Sequence, residues 1–384
     1  DYLSNYILIV ALVGGGIWFS IRTGFIQVRG FTEGLRRTFG GLFSKKGEAG
    51  KDGMSSFQAL ATAIAAQVGT GNIAGAATAI AIGGPGAVFW MWVAAFLGMA
   101  TIYCEAIMAQ KYKKVGSDGI ITGGPVYYIR AAFKGTFGRV LAVIFAVLLI
   151  FALGFMGNAV QSNSIASSFH TAFGIPQWIT GVVVAVIALF IFTGGMKRIA
   201  KVTELMVPLM AALYIVGSLI IIIYNWRNIP LAFEQIIVGA FAPDAITGGA
   251  IGATVSKAIT KGVARGLFSN EAGMGSTPHA HAVAKVDHPV EQGFVAMTGV
   301  FIDTFIVLTM TALVIVTTQA LPKSYEIVEG GYSAAALSQF AYSTLYGKGG
   351  EIFIAICMFF FASSTIIGWY FFGEANIKYL FGPK

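Results

Sequence analysis

Apolar residues gather in long blocks, at about 2–20, 55–82, 87–110, 138–169, 176–194, 201–224, 247–284, 292–318 and 349–376. Most blocks are continuous and near the roughly 20 residues that a helix needs to cross a bilayer core. They predict membrane helices, since barrel strands would alternate. Two blocks are interrupted. In 55–82 the run breaks at VGTGN (68–72), where Thr70 and Asn72 stand among glycines just after Gln67. In 247–284, a stretch weaker in apolar character, it breaks at RGLFSNEAGMGSTP (265–278). Irregular backbone at membrane depth is tolerated only where it is buried in protein or lines a cavity. Helix ends created there offer N–H groups to an anion and carbonyls to a cation. The two broken blocks lie about five crossings apart and run in opposite directions, the inverted-repeat pattern of many secondary transporters.

The composition agrees: 56% of residues are hydrophobic, 11% are charged, and mean hydropathy is +0.77. A soluble domain carries about 25% charged residues, so this chain cannot cover an ordinary water-facing surface. It is read as an all-α, multi-pass protein of the plasma membrane. The net charge of +8 is explained by placement. Arg22, Arg29, Arg36, Arg37, Lys45, Lys46 and Lys51 share the 20–53 loop, and Lys111, Lys113, Lys114, Arg130, Lys134 and Arg139 share the 111–139 loop. Lys197, Arg198 and Lys201 fall in a later connection of the same side, while Arg227, Lys323 and Lys348 fall opposite. The positive-inside rule then places the N-terminus outside and the 20–53 loop in the cytoplasm. The C-terminal end, with Lys378 and Lys384, is also cytoplasmic. That placement leaves no case for nucleic acid. Residues 1–19 lack a basic start and a cleavage pattern, so they are read as a membrane helix and not a signal peptide. Cys104 and Cys357 sit inside apolar runs, with no disulfide or zinc spacing.

The strings GTGNIAG, GGPGAVFWMWVAAFLGMAT, GGPVYYI, RGLFSNEAGMGSTPHAHA and FIDT closely resemble the alanine or glycine:cation symporter family, over nearly the whole chain. The resemblance implies a LeuT-type fold with two discontinuous helices and transport of small amino acids with sodium, sometimes with protons. On that pattern residues 1–384 form one transport domain. Residues 1–53 are an extra N-terminal helix and cytoplasmic loop, 54–224 the first five-helix repeat, and 225–384 an incomplete second repeat lacking its last two core helices. The resemblance also carries site residues. The Ala65 and Val68 carbonyls would face a sodium ion, closed from the 360–369 helix by the Ala362 carbonyl and the hydroxyls of Thr365 and Ser364, the latter one position off the usual place. The Thr70 and Gly71 amides would meet the substrate carboxylate. Asn72 would sit at its edge or on a second ion, and Gln67 would touch the ammonium or restrict side-chain size.

Other candidates come from the residues themselves. Carbonyls near Phe268 and Ser269 are placed to take the substrate ammonium. Gly154, Asn158 and Gln161 share a helix face, a candidate pocket wall or ordinary interhelical hydrogen bonding. Trp369 is read as a pocket cap or an interface anchor. Glu271 is an ion or proton partner, or else a cytoplasmic-side gate or a salt bridge to Arg265 or a loop lysine. Asp303 is a partner for another side chain, a brace for the 269–276 break, or an ion ligand. Glu105 is expected to snorkel toward Lys111. His279, His281 and His288, on an exposed-looking stretch, are not expected to bind metal. Neither a catalytic triad nor a carboxylate pair presents itself, so no enzyme is expected. The partners expected are a small neutral amino acid, sodium and the lipid bilayer, with no obligate protein partner. The neutral oxygens favour sodium, since a proton-driven carrier needs a titratable group at its site. Proton coupling, an amino-acid-gated channel and a sensor are the alternatives.

Overall fold

The computed structural model describes residues 7–40, 54–115, 121–242, 255–320 and 334–382, nearly all of them helical. Residues 1–6 of the first expected block and 247–254 of the broken one lie outside the described residues. So do Lys45, Lys46, Lys51, Lys323 and Lys384. The first block forms α1 (Leu8–Arg22). The basic loop after it is partly a helix, α2 (Phe31–Gly40). Charge alone hid it, because its contact face is built from small residues. A Cβ on Gly34 would lie 2.8 Å from Thr298 Oγ1, and one on Gly30 would lie 2.5 Å from the Phe294 ring. Glu33 meanwhile pairs with Arg36 and Arg37 on the outer side.

The first broken block is α3 (Ser56–Gln67) and α4 (Gly71–Gly83). Ser55 starts α3 through a capping box: its hydroxyl accepts from the Gln58 N–H at 3.1 Å, and Gln58 Oε1 accepts from the Ser55 N–H at 3.1 Å. Next come α5 (Gly86–Lys111) and a small antiparallel hairpin, β1 (Lys114–Val115) with β2 (Ile121–Thr122). After it run α6 (Pro125–Ala132), α7 (Gly135–Phe173), α8 (Gln177–Phe192) and α9 (Gly195–Tyr224). A further helix, α10 (Ile229–Phe241), was not expected, because 13 residues are too short to span. The second broken block is α11 (Val255–Asn270) and α12 (Pro278–Val283). Then follow α13 (Pro289–Thr317), the unexpected α14 (Ala334–Tyr346) and α15 (Lys348–Phe381).

Among the described residues α5, α7, α9, α13 and α15 are long and apolar enough to cross a membrane. Their burial sorts them. In the most apolar stretches of α13 and α15, 72% of residues are buried, against 22% in α7. The first two are therefore interior, while α7 turns Val140, Leu148 and Phe151 outward. α5 packs against both α11 and α13, and α15 packs against α7. The two breaks are buried among these helices, with Gln67, Thr70, Asn72, Ser269, Asn270 and Glu271 each at most 3% exposed. The start of the first is tied to the end of the second by backbone: Met54 N–H donates to the Val283 carbonyl at 3.2 Å, and Lys285 N–H to the Met54 carbonyl at 3.0 Å.

At Gly86 the start of α5 crosses α10 backbone to backbone. A Cβ there would lie 2.1 Å from the Gly239 carbonyl carbon. Gly86→Ala should therefore destabilise the protein by about 1–3 kcal/mol. Gly181→Ala in α8, where nothing lies within 4 Å, should leave stability unchanged or slightly raised. Thermal unfolding of both variants in detergent checks the contrast.

Candidate functional site

The breaks face each other at close range. A Cβ on Gly71 would lie 3.0 Å from Ser269 Cα, so only glycine permits this approach without a shift. Gln67 Nε2 donates to the Asn270 carbonyl at 2.8 Å, joining the end of α3 to the end of α11. Its Oε1 is buried and has no hydrogen-bond partner. Between the breaks sits Asp303 of α13, fully buried. It accepts from Asn72 Nδ2 at 2.7 Å, from Ser269 Oγ at 3.0 Å and from Thr304 Oγ1 at 2.8 Å. One carboxylate therefore holds a side chain from each break. Of the three readings offered for Asp303, these bonds describe two, the partner for other side chains and the brace.

The broken backbone is satisfied by side chains. Asn72 Oδ1 accepts from the Gly69 N–H at 3.0 Å, and Asn270 Oδ1 from the Ala272 N–H at 3.1 Å. Glu105 Oε2 accepts from the Gly273 N–H at 3.0 Å. Glu105 does not snorkel, as the sequence suggested, because it is buried against the second break. That break turns sharply: Glu271 has φ +56°, Gly273 +86° and Gly275 +78°. For Glu271 this is the left-handed region, which a non-glycine residue rarely enters. Its carboxylate bonds Ser276 Oγ and Trp369 Nε1, and no described ion pair ties it to Arg265. The expected salt-bridge role is thereby replaced by a tie to α15.

Two helix faces close around the breaks, each presenting a pair of residues four apart. From α7, Gln161 Oε1 accepts from the Thr70 N–H at 3.2 Å, and Gly157 abuts the Trp369 indole, where a Cβ would overlap Cζ3 at 2.2 Å. From α15, Thr365 meets the first break and Trp369 the second. The Phe268 ring stands edge-on to the Trp369 ring at 6.4 Å. Trp369 is 2% exposed, so it caps the interior and is no interface anchor. Asn158 is not part of this wall in the same way. Its Nδ2 donates back to the Gly154 carbonyl at 3.3 Å within α7.

Beside Gly69 lies a cluster of neutral oxygens. Thr365 Oγ1 donates to the Ala65 carbonyl and shares the Phe361 carbonyl, both at 3.1 Å. Ser364 Oγ reaches that same Phe361 carbonyl at 2.7 Å. Both hydroxyls meet at the Phe361 carbonyl because a serine or threonine hydroxyl in a helix back-bonds three or four residues earlier. Ala362 packs among Ile165, Val184 and Ile366. Val68 ends α3 with ψ +87°, outside helical geometry, so its carbonyl is released from the helical ladder. The histidines also differ from expectation. His279 and His281 are each 1% exposed, bonded through Nδ1 to the Ser276 carbonyl and to Gln292 Oε1. Among the described residues no group of His, Cys, Asp and Glu could hold a metal ion.

The whole chain, residues 1–384, matches the model of the sodium:alanine symporter family. The sodium/alanine symporter AgcS of Methanococcus maripaludis is 42% identical over 380 residues, 98% of this chain and 81% of that protein. The amino-acid carrier protein AlsT of Bacillus subtilis is 42% identical over 381 residues, 99% of this chain and 77% of that protein. Among solved structures, a manganese transporter of Eremococcus coleocola superposes with a TM-score of 0.56 at 15% identity. It covers 86% of this chain and 66% of that one, just under two thirds of its length. At that identity the likeness speaks for the fold alone: the helices are arranged as in a membrane transporter.

Removing the Asn72 side chain takes from buried Asp303 its shortest donor. Asn72→Ala should cost about 1.5–3 kcal/mol, the range for a hydrogen bond to a charged group. Asp303→Asn combined with it should cost less than the two single changes summed. Unfolding of the two single variants and the double variant in detergent measures that coupling, and strict additivity would contradict the brace.

Proposed function

The chain belongs to the sodium:alanine symporter family, and we propose that it imports alanine or glycine together with sodium by alternating access. The observation that carries the reading is the meeting of two broken helices with a neutral oxygen cluster beside them. In this reading the fold is LeuT-type. Residues 54–224 form its first repeat, 225–384 belong to its second, and the basic loops face the cytoplasm.

The substrate carboxylate binds at the Thr70 and Gly71 amides. Gln161 holds the Thr70 N–H at 3.2 Å and yields it to the incoming anion. The ammonium then lies toward the Phe268 and Ser269 carbonyls, with Gln67 at its edge and Asn72 at the edge of the carboxylate. The indole of Trp369, pressed against Gly157 and Phe268, leaves room for a small side chain only. Sodium takes the carbonyls of Ala65, Phe361 and Val68 with the hydroxyls of Thr365 and Ser364. Rings of carbonyl oxygens replace the hydration shell of a monovalent cation in this way. The ion removes the hydroxyl bonds that otherwise join Thr365 to Ala65 and Phe361, so its arrival fixes α3 against α15 through coordination. Binding sites at the interface of repeats, built on discontinuous helices, suit rocking of one helix bundle against the other.

In proteoliposomes, an inward sodium gradient should drive uptake of radiolabelled alanine, and a matched potassium gradient should not. Thr365→Ala should raise the half-saturating sodium concentration at least tenfold, with a smaller effect on alanine. Gly157→Ala, which pushes the indole away, should weaken alanine binding at unchanged sodium affinity. Uptake that follows a pH gradient and ignores sodium would move the coupling to protons and to the carboxyls of Glu271 and Asp303.

A further inference from the structure

Away from the breaks, a cavity of about 190 Å³ opens between α12, the β hairpin and the facing ends of α9 and α15. That volume is several times the roughly 30 Å³ of one water molecule in the liquid. His279 and Val283 of α12 form one wall, and Met196 with Phe371 an apolar floor. Glu374 and Lys378 complete the lining. Their ion pair, at 2.8 Å, is about a quarter to a third exposed and stands one helical turn apart on α15. The contact uses one carboxylate oxygen and one ammonium proton, so each partner keeps free hydrogen-bonding capacity. A lone cation at this wall meets Lys378 and a lone anion meets Glu374. A molecule carrying both charges on neighbouring atoms satisfies both.

We propose that this cavity is a second binding site for a small zwitterionic amino acid, with Lys378 on its carboxylate, Glu374 on its ammonium and Met196 and Phe371 against its side chain. The inference rests on the transporter reading above, under which the cavity faces the cytoplasm. It is coupled to the transport site through α12. His279 lines the cavity, and its Nε2 lies 2.9 Å from Asn376 Nδ2, while its Nδ1 lies 2.7 Å from the Ser276 carbonyl. The tautomer with the proton on Nδ1 satisfies both contacts. Asn376 Oδ1 is buried beside them without a partner. The helix that follows the second break therefore meets α15 at the cavity edge. An occupant seated between α9 and α15, against His279 and Val283 of α12, holds the three together, so amino acid accumulated inside slows further import.

Equilibrium binding of radiolabelled alanine to the purified protein in detergent, at saturating sodium, tests this. The wild type should bind two equivalents per chain. Lys378→Gln with Glu374→Gln should bind one, and so should Ala375→Leu, which fills the cavity and keeps both charges. Both variants should retain sodium-driven uptake into vesicles that start empty of alanine. A single equivalent in the wild type, weakened in Gly157→Ala and untouched by the cavity variants, overturns this site and leaves the transport site standing. Two equivalents retained in both cavity variants overturns it as well. Absence of all alanine binding overturns both readings.

Discussion

A helix broken inside a membrane has lost the partner that every other part of the fold relies on, its own next turn. In hydrocarbon each unsatisfied backbone group costs several kcal/mol, so the open ends must be satisfied from within the protein. The bond between Asp303 and the two breaks is the centre of that arrangement. Asn72 reaches it from one break and Ser269 from the other, while Asn72 Oδ1 also holds the Gly69 N–H. Around this centre the same substitution recurs: Asn270 and Glu105 serve amides of the second break. Gln110 serves carbonyls at the end of α12, including those of His281 and Ala284. These side chains do for the breaks what water does for a loop at a surface.

The division between what could be read from the residues and what could not follows from range. The breaks were legible because they are local: VGTGN and SNEAGMGS interrupt apolar runs with glycine and amide side chains. The long helices were legible for the same reason. Long-range partners were not. Nothing near Glu105 in sequence announces that Gly273, 168 positions later, needs an acceptor, and proximity to Lys111 suggested snorkelling instead. Glu271 looked like a charge seeking an arginine, yet the sharp turn at +56° aims it at Trp369. The bond from Thr365 to the Phe361 carbonyl was within reach of local reasoning, since the two lie four residues apart on one helix. The helices at 31–40, 229–241 and 334–346 escaped because their length or charge resembles that of connections.

The walls of the site have a simple construction. Gly157 with Gln161 and Thr365 with Trp369 are two pairs at the same spacing on two facing helices. The pairing sets Gln161 and Thr365 against the first break and Trp369 against the second.

Three wide helical turns lie where these elements meet, at Gly71–Gly75, Ile150–Gly157 and Phe301–Leu308. Such turns hold one residue more than an α-turn, and one residue is about 100° of rotation around the axis. They carry Asn72, Gly157 and Asp303. If the extra residue passes along the helix by one turn, the side chains it crosses swing to a new direction while both ends of the helix stay in place. The three helices thus contain slack at the depth of the two breaks, and its passage needs no movement of the surface loops.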